Sequence, residues 1–285
     1  MPELPEVETM RRGVLRIVGS RIDAIERPAC PKRPIVISPN VGVIRRRLIG
    51  RRITGVDRLG KRVVIVADTG DRLVIEPRMT GLVLLADPPT KEHLRLRIGL
   101  SGKRISELLF WDRRGLGVVR LFRPAEYAKL ADTRLGPDAL AISPADLKER
   151  LGTSRRAVKV ALLDQKAVAG IGNLYASEIL HLAGVDPRKA CCRITVAEWT
   201  KIHASTVEVL KLAITHEGST LSDGTYRNAL NEAGGYQNHH RVYDRAGELC
   251  PSCGQRAIER IVQAQRSTFF CPACQGRRRA SRANR

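Results

Sequence analysis

The chain reads as an α+β protein: an N-terminal helix, a run of short β-strands, a helical module and a small cysteine module at the end. Three observations carry this. Apolar residues recur first at helical spacing, then alternate with period two, then return to helical spacing. Gly and Asp turns punctuate the β-rich runs. Two Cys-x-x-Cys pairs lie close to the end of the chain.

The first helix is expected over 3–18. Val7, Met10, Val14, Ile17 and Val18 share one face, while Pro5, Glu6 and Glu8 occupy the first turn, where proline and acids are favoured. Leu94, Leu96, Ile98 and Leu100 then alternate with Arg95, Arg97 and Gly99, and further β-rich runs lie at 62–67, 72–76, 82–85, 107–111 and 118–122. Short strands between tight turns make a sandwich or a barrel. After Leu135-Gly136-Pro137 the period returns to helical, with helices expected at 146–151, 157–164, 173–183 and 197–216 and a start signal at Ser143-Pro144. Residues 217–235 are rich in Gly, Ser, Thr and Asn without a period, which predicts a long loop of the functional or mobile kind. The domains expected are 1–130 for the helix and β-sandwich, 135–235 for the helical module with its loop, 238–276 for the cysteine module, and 277–285 for a disordered basic tail.

Fifty Lys+Arg against 29 Asp+Glu give a formal charge of +21, far more than solubility asks for, and point to a polyanion as partner. Aromatics are only 4%, too few for the stacked rings that grip single strands, so arginines are expected to hold the phosphates. The longest apolar runs, 63–67 and 82–86, fall far short of the roughly 20 residues that span a bilayer, which excludes a membrane partner. Glu3, Glu6, Glu8, Arg11, Arg12 and Arg16 leave no apolar core for a signal peptide, so a cytoplasmic protein is expected. Seven cysteines, an odd number, suggest metal ligation rather than a disulfide framework.

Cys250-Pro-Ser-Cys253 and Cys271-Pro-Ala-Cys274 have seventeen residues between them, the spacing of a tetrahedral zinc site. Two residues between thiolates let a turn aim both sulfurs at one ion. A closed four-thiolate site is structural, so one zinc per chain is expected to shape a hairpin; two chance pairs or a redox dithiol are the alternatives. Between the pairs, Arg266 would sit on a small rigid β-element, suited to delivering a guanidinium to a phosphate. In Gly170-Ile-Gly172-Asn173, Asn173 is expected to cap the next helix. Pro2, once Met1 is removed, would carry a secondary amine with a pKa of about 8, partly neutral and able to attack a carbon centre. Glu3 would be its general acid or base. Lys61, alone, is a charge at a strand end.

Taken together these residues resemble the formamidopyrimidine-DNA glycosylase family. The resemblance runs through Met1 to Thr9, Gly60-Lys61, Met79-Thr80-Gly81, Asp112 to Gly117, Gly170 to Glu178 and Gln265 to Cys274, nearly the whole chain. It implies an N-terminal β-sandwich, a helix-two-turn-helix module and a zinc-finger hairpin, and a monomeric, bacterial-type, nucleoid-associated enzyme. Its cleft grips kinked, damaged double-stranded DNA and flips out the base.

Carried onto this chain, the resemblance makes Pro2 the nucleophile on C1′ and Glu3 the proton donor for sugar opening. Lys61 is linked to β-elimination, and Arg266 to phosphate binding and δ-elimination. His93, Arg155 and Asn173 contact the DNA backbone, and Lys159 faces the lesion strand. Met79, Arg114 and Leu116 fill the gap left by the flipped base. Leu116 stands where the family usually has Phe, and Glu76-Pro77-Arg78 where it has His-Leu-Gly, an acid at a phosphate-contacting position. The expected activity is excision of oxidised purines followed by β,δ-elimination. The alternatives are a non-catalytic damaged-DNA-binding protein and an oxidised-pyrimidine glycosylase of the endonuclease VIII branch.

Overall fold

The computed structural model describes residues 2–221 and 224–276, apart from the side chains of 131–134. The basic tail expected to be disordered, 277–285, lies outside the described residues. By packing, the chain forms two compact units. One comprises Met1–Leu135 with Leu212–Asn238, the other Gly136–Lys211 with His239–Arg285.

The first unit begins with α1 (Leu4–Val14), followed by a 3-10 turn at Leu15–Ile17. The helix is shorter than the sequence suggests because Gly13 weakens its end and Gly19 turns the chain at φ +93°. β1 (Arg21–Glu26), β2 (Val36–Ser38), α2 (Val41–Leu48), β3 (Ile53–Leu59), β4 (Arg62–Ala67), β5 (Arg72–Glu76), β6 (Gly81–Leu84), β7 (Leu94–Ser101), β8 (Glu107–Asp112), β9 (Val118–Phe122) and α3 (Pro124–Arg134) follow. The strands form two sheets, β1-β7-β8-β6 and β2-β9-β5-β4-β3, antiparallel except where β2 runs parallel to β9. Inner faces of both sheets share one apolar core, with Ile25, Leu96 and Phe110 from one and Val63, Ile75 and Val119 from the other. This resolves the sandwich-or-barrel choice in favour of a sandwich.

Val7, Met10 and Val14 of α1 enter that core, as the period predicts. The polar residues in the first turns of α1 are buried as well. Glu6 is 3% exposed and Glu8 8%. Part of the cover comes from the returning segment: Tyr226 and Ala229 join the core, Ala229 accepts a hydrogen bond from the Leu85 amide, and a Cβ at Gly13 would collide with Ala229. Through this contact Leu212–Asn238 packs with the first unit, although 212–235 lies within the helical module expected from the sequence.

The second unit contains α4 (Pro144–Leu151), α5 (Val158–Leu162), α6 (Asn173–Ala183) and most of α7 (Val196–Thr215), then β10 (Glu259–Gln263), β11 (Arg266–Phe270) and the short α8 (Pro272–Gln275). Ser143 caps α4 by accepting from the Asp146 amide. α6 ends at Gly184 in the left-handed conformation, φ +67°. β10 and β11 pair antiparallel as the hairpin of the cysteine module. Among the described residues, no helix is long and apolar enough to cross a membrane.

Candidate functional site

Pro2 is buried just before α1, and Glu3, 4% exposed, is the residue that leads into it. Glu6 fixes this start. Its Oε2 accepts the Glu3 amide at 2.8 Å, and its Oε1 accepts the Ser219 amide at 2.9 Å, so one carboxylate ties the N-terminus to the loop at 217–235. Two residues on, Glu8 receives Arg11, Arg12 and Arg58 at 2.8–3.1 Å. Burial alone would raise the Glu8 carboxyl; hydrogen bonds from Arg11 and Arg12 and the charges of Arg11 and Arg58 outweigh it and hold the group at about 2.

Arg58 also donates to the Gly60 carbonyl at 3.1 Å. Lys61 lies with Gly60 in the two-residue turn joining β3 to β4, so the Glu8–Arg58 pair ties the hairpin carrying Lys61 to the helix carrying Pro2 and Glu3. Gly60 adopts φ +56°, which suits such a turn.

Met79, Arg114 and Leu116 sit on two turns that are cross-linked. Thr80 donates to Asp112, whose carboxylate also accepts the amides of Arg114 at 3.2 Å and Gly117 at 2.7 Å. Met79 and Arg114 are exposed and Leu116 is half-buried. Gly81 lets the strands close: a Cβ there would strike the backbone of Pro77 and the ring of Phe110. Arg113, beside Arg114, donates to Thr225 at 2.7 Å, joining this turn to the 217–235 loop. Glu76 is 8% exposed and paired with Arg62 at 3.0 Å and Arg78 at 2.6 Å. The Glu76 carboxylate is therefore neutralised by two guanidiniums. His93 stands edge-on to Trp111 at 5.6 Å, with Nε2 3.0 Å from Glu92.

In the second unit, Asn173 is the first residue of α6 rather than its cap; Gly172 precedes the helix. The Asn173 side chain has another task, because its Nδ2 donates to the Ser267 carbonyl at 3.0 Å and its Oδ1 accepts from Lys159. Lys159, expected on the surface that meets DNA, has no exposed area and reaches the Ser267 carbonyl at 3.4 Å as well. The sequence carries no sign that this cation is enclosed. Arg266, adjacent to Ser267, is exposed, and so is Arg155. The turn before Arg266 holds Ala264 at φ +46° and Gln265 at φ +61°, left-handed conformations that favour glycine.

The four Sγ atoms of Cys250, Cys253, Cys271 and Cys274 lie within 4.8 Å of one another. Cys250 and Cys274 are 3.8 Å apart, and Cys253 and Cys271 3.7 Å. Four thiolates about 2.3 Å from a zinc ion stand about 3.8 Å apart, so the donor set fits one structural zinc. His181 Nε2 lies 3.4 Å from Cys250 Sγ, and burial lowers its pKa to about 4. Glu178 is enclosed in α6 and accepts the amides of Arg241, Val242 and Tyr243 at 2.8–2.9 Å, holding the entry to the cysteine module. Burial pushes its carboxyl up against the pull of those amides. The Glu6–Ser219 tie, the Thr80–Asp112 link and the hold of Glu178 on Arg241, Val242 and Tyr243 are not legible by motif, since each joins residues distant in sequence.

Residues 1–119 match the family described as the formamidopyrimidine-DNA glycosylase N-terminal domain. Residues 135–225 match its H2TH domain, and 247–276 a zinc finger found in FPG and IleRS. The chain is 40% identical over 278 residues to a formamidopyrimidine-DNA glycosylase of Chloroflexus aurantiacus, covering 96% of this chain and 98% of the relative. It is 38% identical to that of Thermus thermophilus over 97% of this chain and 99% of the relative. Among solved structures it is similar to a Lactococcus lactis FPG mutant in complex with a Fapy-dG containing DNA, with TM-score 0.86 and 33% identity over 96% of this chain and all of that one. A structure of MutM with DNA containing carbocyclic 8-oxo-G gives TM-score 0.84 at 33% identity, again over 96% of this chain and all of the other.

Proposed function

The chain belongs to the formamidopyrimidine-DNA glycosylase family, and from that premise we propose that it excises oxidised purines, 8-oxoguanine and formamidopyrimidines, from duplex DNA and then cleaves the strand. The observation that carries the reading is the N-terminal start itself: Pro2 and Glu3 are buried ahead of a helix whose Glu6 fixes the Glu3 amide.

With Met1 removed, the Pro2 amine attacks C1′ of the flipped nucleotide while Glu3 protonates the opening sugar. A nitrogen–carbon bond forms, the glycosidic bond breaks, and the base leaves after taking a proton. The resulting iminium acidifies the C2′ hydrogen, so loss of that proton expels the 3′ phosphate, and a second elimination expels the 5′ phosphate. Water then hydrolyses the adduct and returns the amine. Lys61 serves the first elimination; Arg266 binds phosphate and serves the second. Arg155, Asn173 and His93 hold the backbone, Lys159 sets Asn173 and the start of β11, and Met79, Arg114 and Leu116 occupy the emptied stack. Zinc, when bound, supplies shape alone, through a hairpin too small to hold a core of its own. The enzyme acts as a monomer in the cytoplasm, on nucleoid DNA.

Borohydride trapping on a duplex with one 8-oxoguanine opposite cytosine tests the proposal. A covalent adduct is expected with the native N-terminus and none with Pro2→Gly carrying one extra N-terminal residue, while both bind the duplex. Undiminished trapping by the blocked protein would transfer the nucleophile to a lysine. Binding without any adduct or excision would make the chain a non-catalytic damage binder.

A further inference from the structure

Cys30 has no part in the reaction or the zinc site. Its sulfur donates to the Glu92 carbonyl at 3.0 Å and lies 2.7 Å from Nη1 of Arg95. It is partly exposed, and with Arg27, Pro34 and Arg95 it lines a cavity of about 280 Å³. Arg95 itself is 3% exposed. Its Nε donates to the Asp112 carbonyl at 2.8 Å, and its Nη2 is buried with no hydrogen-bond partner among the described residues. Buried guanidinium N–H groups call for acceptors, so this orphaned donor, on the group that touches the sulfur, points to an oxygen that the thiol lacks.

The same segment presses on the turn of Arg114 and Leu116. Gly115, at φ +63°, is packed so closely that a Cβ would meet the Arg33 carbonyl, and the Val36 amide donates to the Gly117 carbonyl at 3.3 Å. We propose that Cys30 is a peroxide-modifiable thiol whose oxidation loosens the Asp112–Gly117 turn. The sulfur attacks one oxygen of hydrogen peroxide; a sulfur–oxygen bond forms, the oxygen–oxygen bond breaks, and the departing hydroxide takes the thiol proton to leave as water. The sulfenic oxygen accepts from Nη2, swings the guanidinium toward Cys30 and weakens its hold on Asp112. Partial exposure beside a cation is the setting in which cysteines react.

The thiol and the turn are tested on the free zinc-loaded protein, independently of any enzymatic role; only the effect on excision rests on the function proposed above. After brief exposure to hydrogen peroxide, dimedone should label Cys30 ahead of the exposed Cys192, with zinc retained. Hydrogen exchange at the Arg114 and Gly117 amides should quicken about fivefold, the factor that one hydrogen bond is worth, and recover with dithiothreitol. Cys30→Ser should excise 8-oxoguanine at the native rate and show no response to peroxide. Label on other thiols with Cys30 intact, labelled Cys30 with unchanged exchange, or equal sensitivity of Cys30→Ser would each overturn the proposal. Faster exchange with undiminished excision would keep the thiol chemistry and refute instead the role given to Arg114 and Leu116.

Discussion

Replacing Glu8 by Gln should destabilise α1 at neutral pH and do nothing in acid. Glu8 is enclosed by Arg11, Arg12 and Arg58, and its carboxyl is held at about 2 against an ordinary 4.5. At about 1.4 kcal/mol per pKa unit that difference is about 3 kcal/mol; discounted for the exposed Arg12 partner, about 2 kcal/mol is expected. The folded-state value lies below the unfolded one, so the stabilisation is complete above about 4.5 and is lost as pH falls toward 2. Hydrogen exchange at the α1 amides, corrected for intrinsic rates, measures it. Glu8→Gln should exchange about thirtyfold faster than the native chain at pH 7, with the gap narrowing below pH 4. A gap that stays constant from pH 7 to pH 3, or none at pH 7, would refute the argument.

Freshly purified protein should contain one zinc per chain, and chelation should abolish pairing of β10 with β11 while the sandwich remains folded; metal far below one equivalent with the hairpin intact would contradict this. Gln265→Gly should stabilise that hairpin by about 1 kcal/mol, because a non-glycine residue held at φ +61° is strained, and thermal unfolding of the zinc-loaded chain reads it. Excision of 8-oxoguanine should be much faster opposite cytosine than opposite adenine, since Arg114 can donate to acceptors of an orphaned cytosine but meets a donor on adenine; single-turnover rates with thymine glycol fastest would move the chain to the oxidised-pyrimidine class. Affinity for undamaged duplex should fall steeply with salt, given the charge of +21, and a flat log–log dependence would exclude phosphate-dominated binding.

Much of the architecture is legible in the order of residues, and the exceptions share a cause. β4, β5 and β9 are read from their β-branched runs, and α6 from its apolar spacing. β1, β2 and β3 escape notice because they lie at sheet edges, where few residues are buried and Arg, Asp and Gly break the pattern. α2 is hidden by Arg45, Arg46 and Arg47, with only Ile44 and Leu48 buried. Cysteine spacing announces the metal site because four ligands and two turns leave little choice. Burial of a charge has no such signature: nothing near Lys159 foretells the Ser267 carbonyl, and Glu6 meets Ser219 across 213 positions of sequence.

The return of Leu212–Asn238 to the N-terminal unit has a consequence for synthesis. Tyr226 and Ala229 complete that unit's core, yet they leave the ribosome only after all of Gly136–Lys211 has been made. Until then the Gly13 face of α1 lacks its cover and Glu6 lacks Ser219. The nascent sandwich therefore waits, with its first helix half-dressed, through the translation of an entire helical module. A fragment ending at Leu135 would be arrested in that state, and chaperones should hold it longer than the full-length chain.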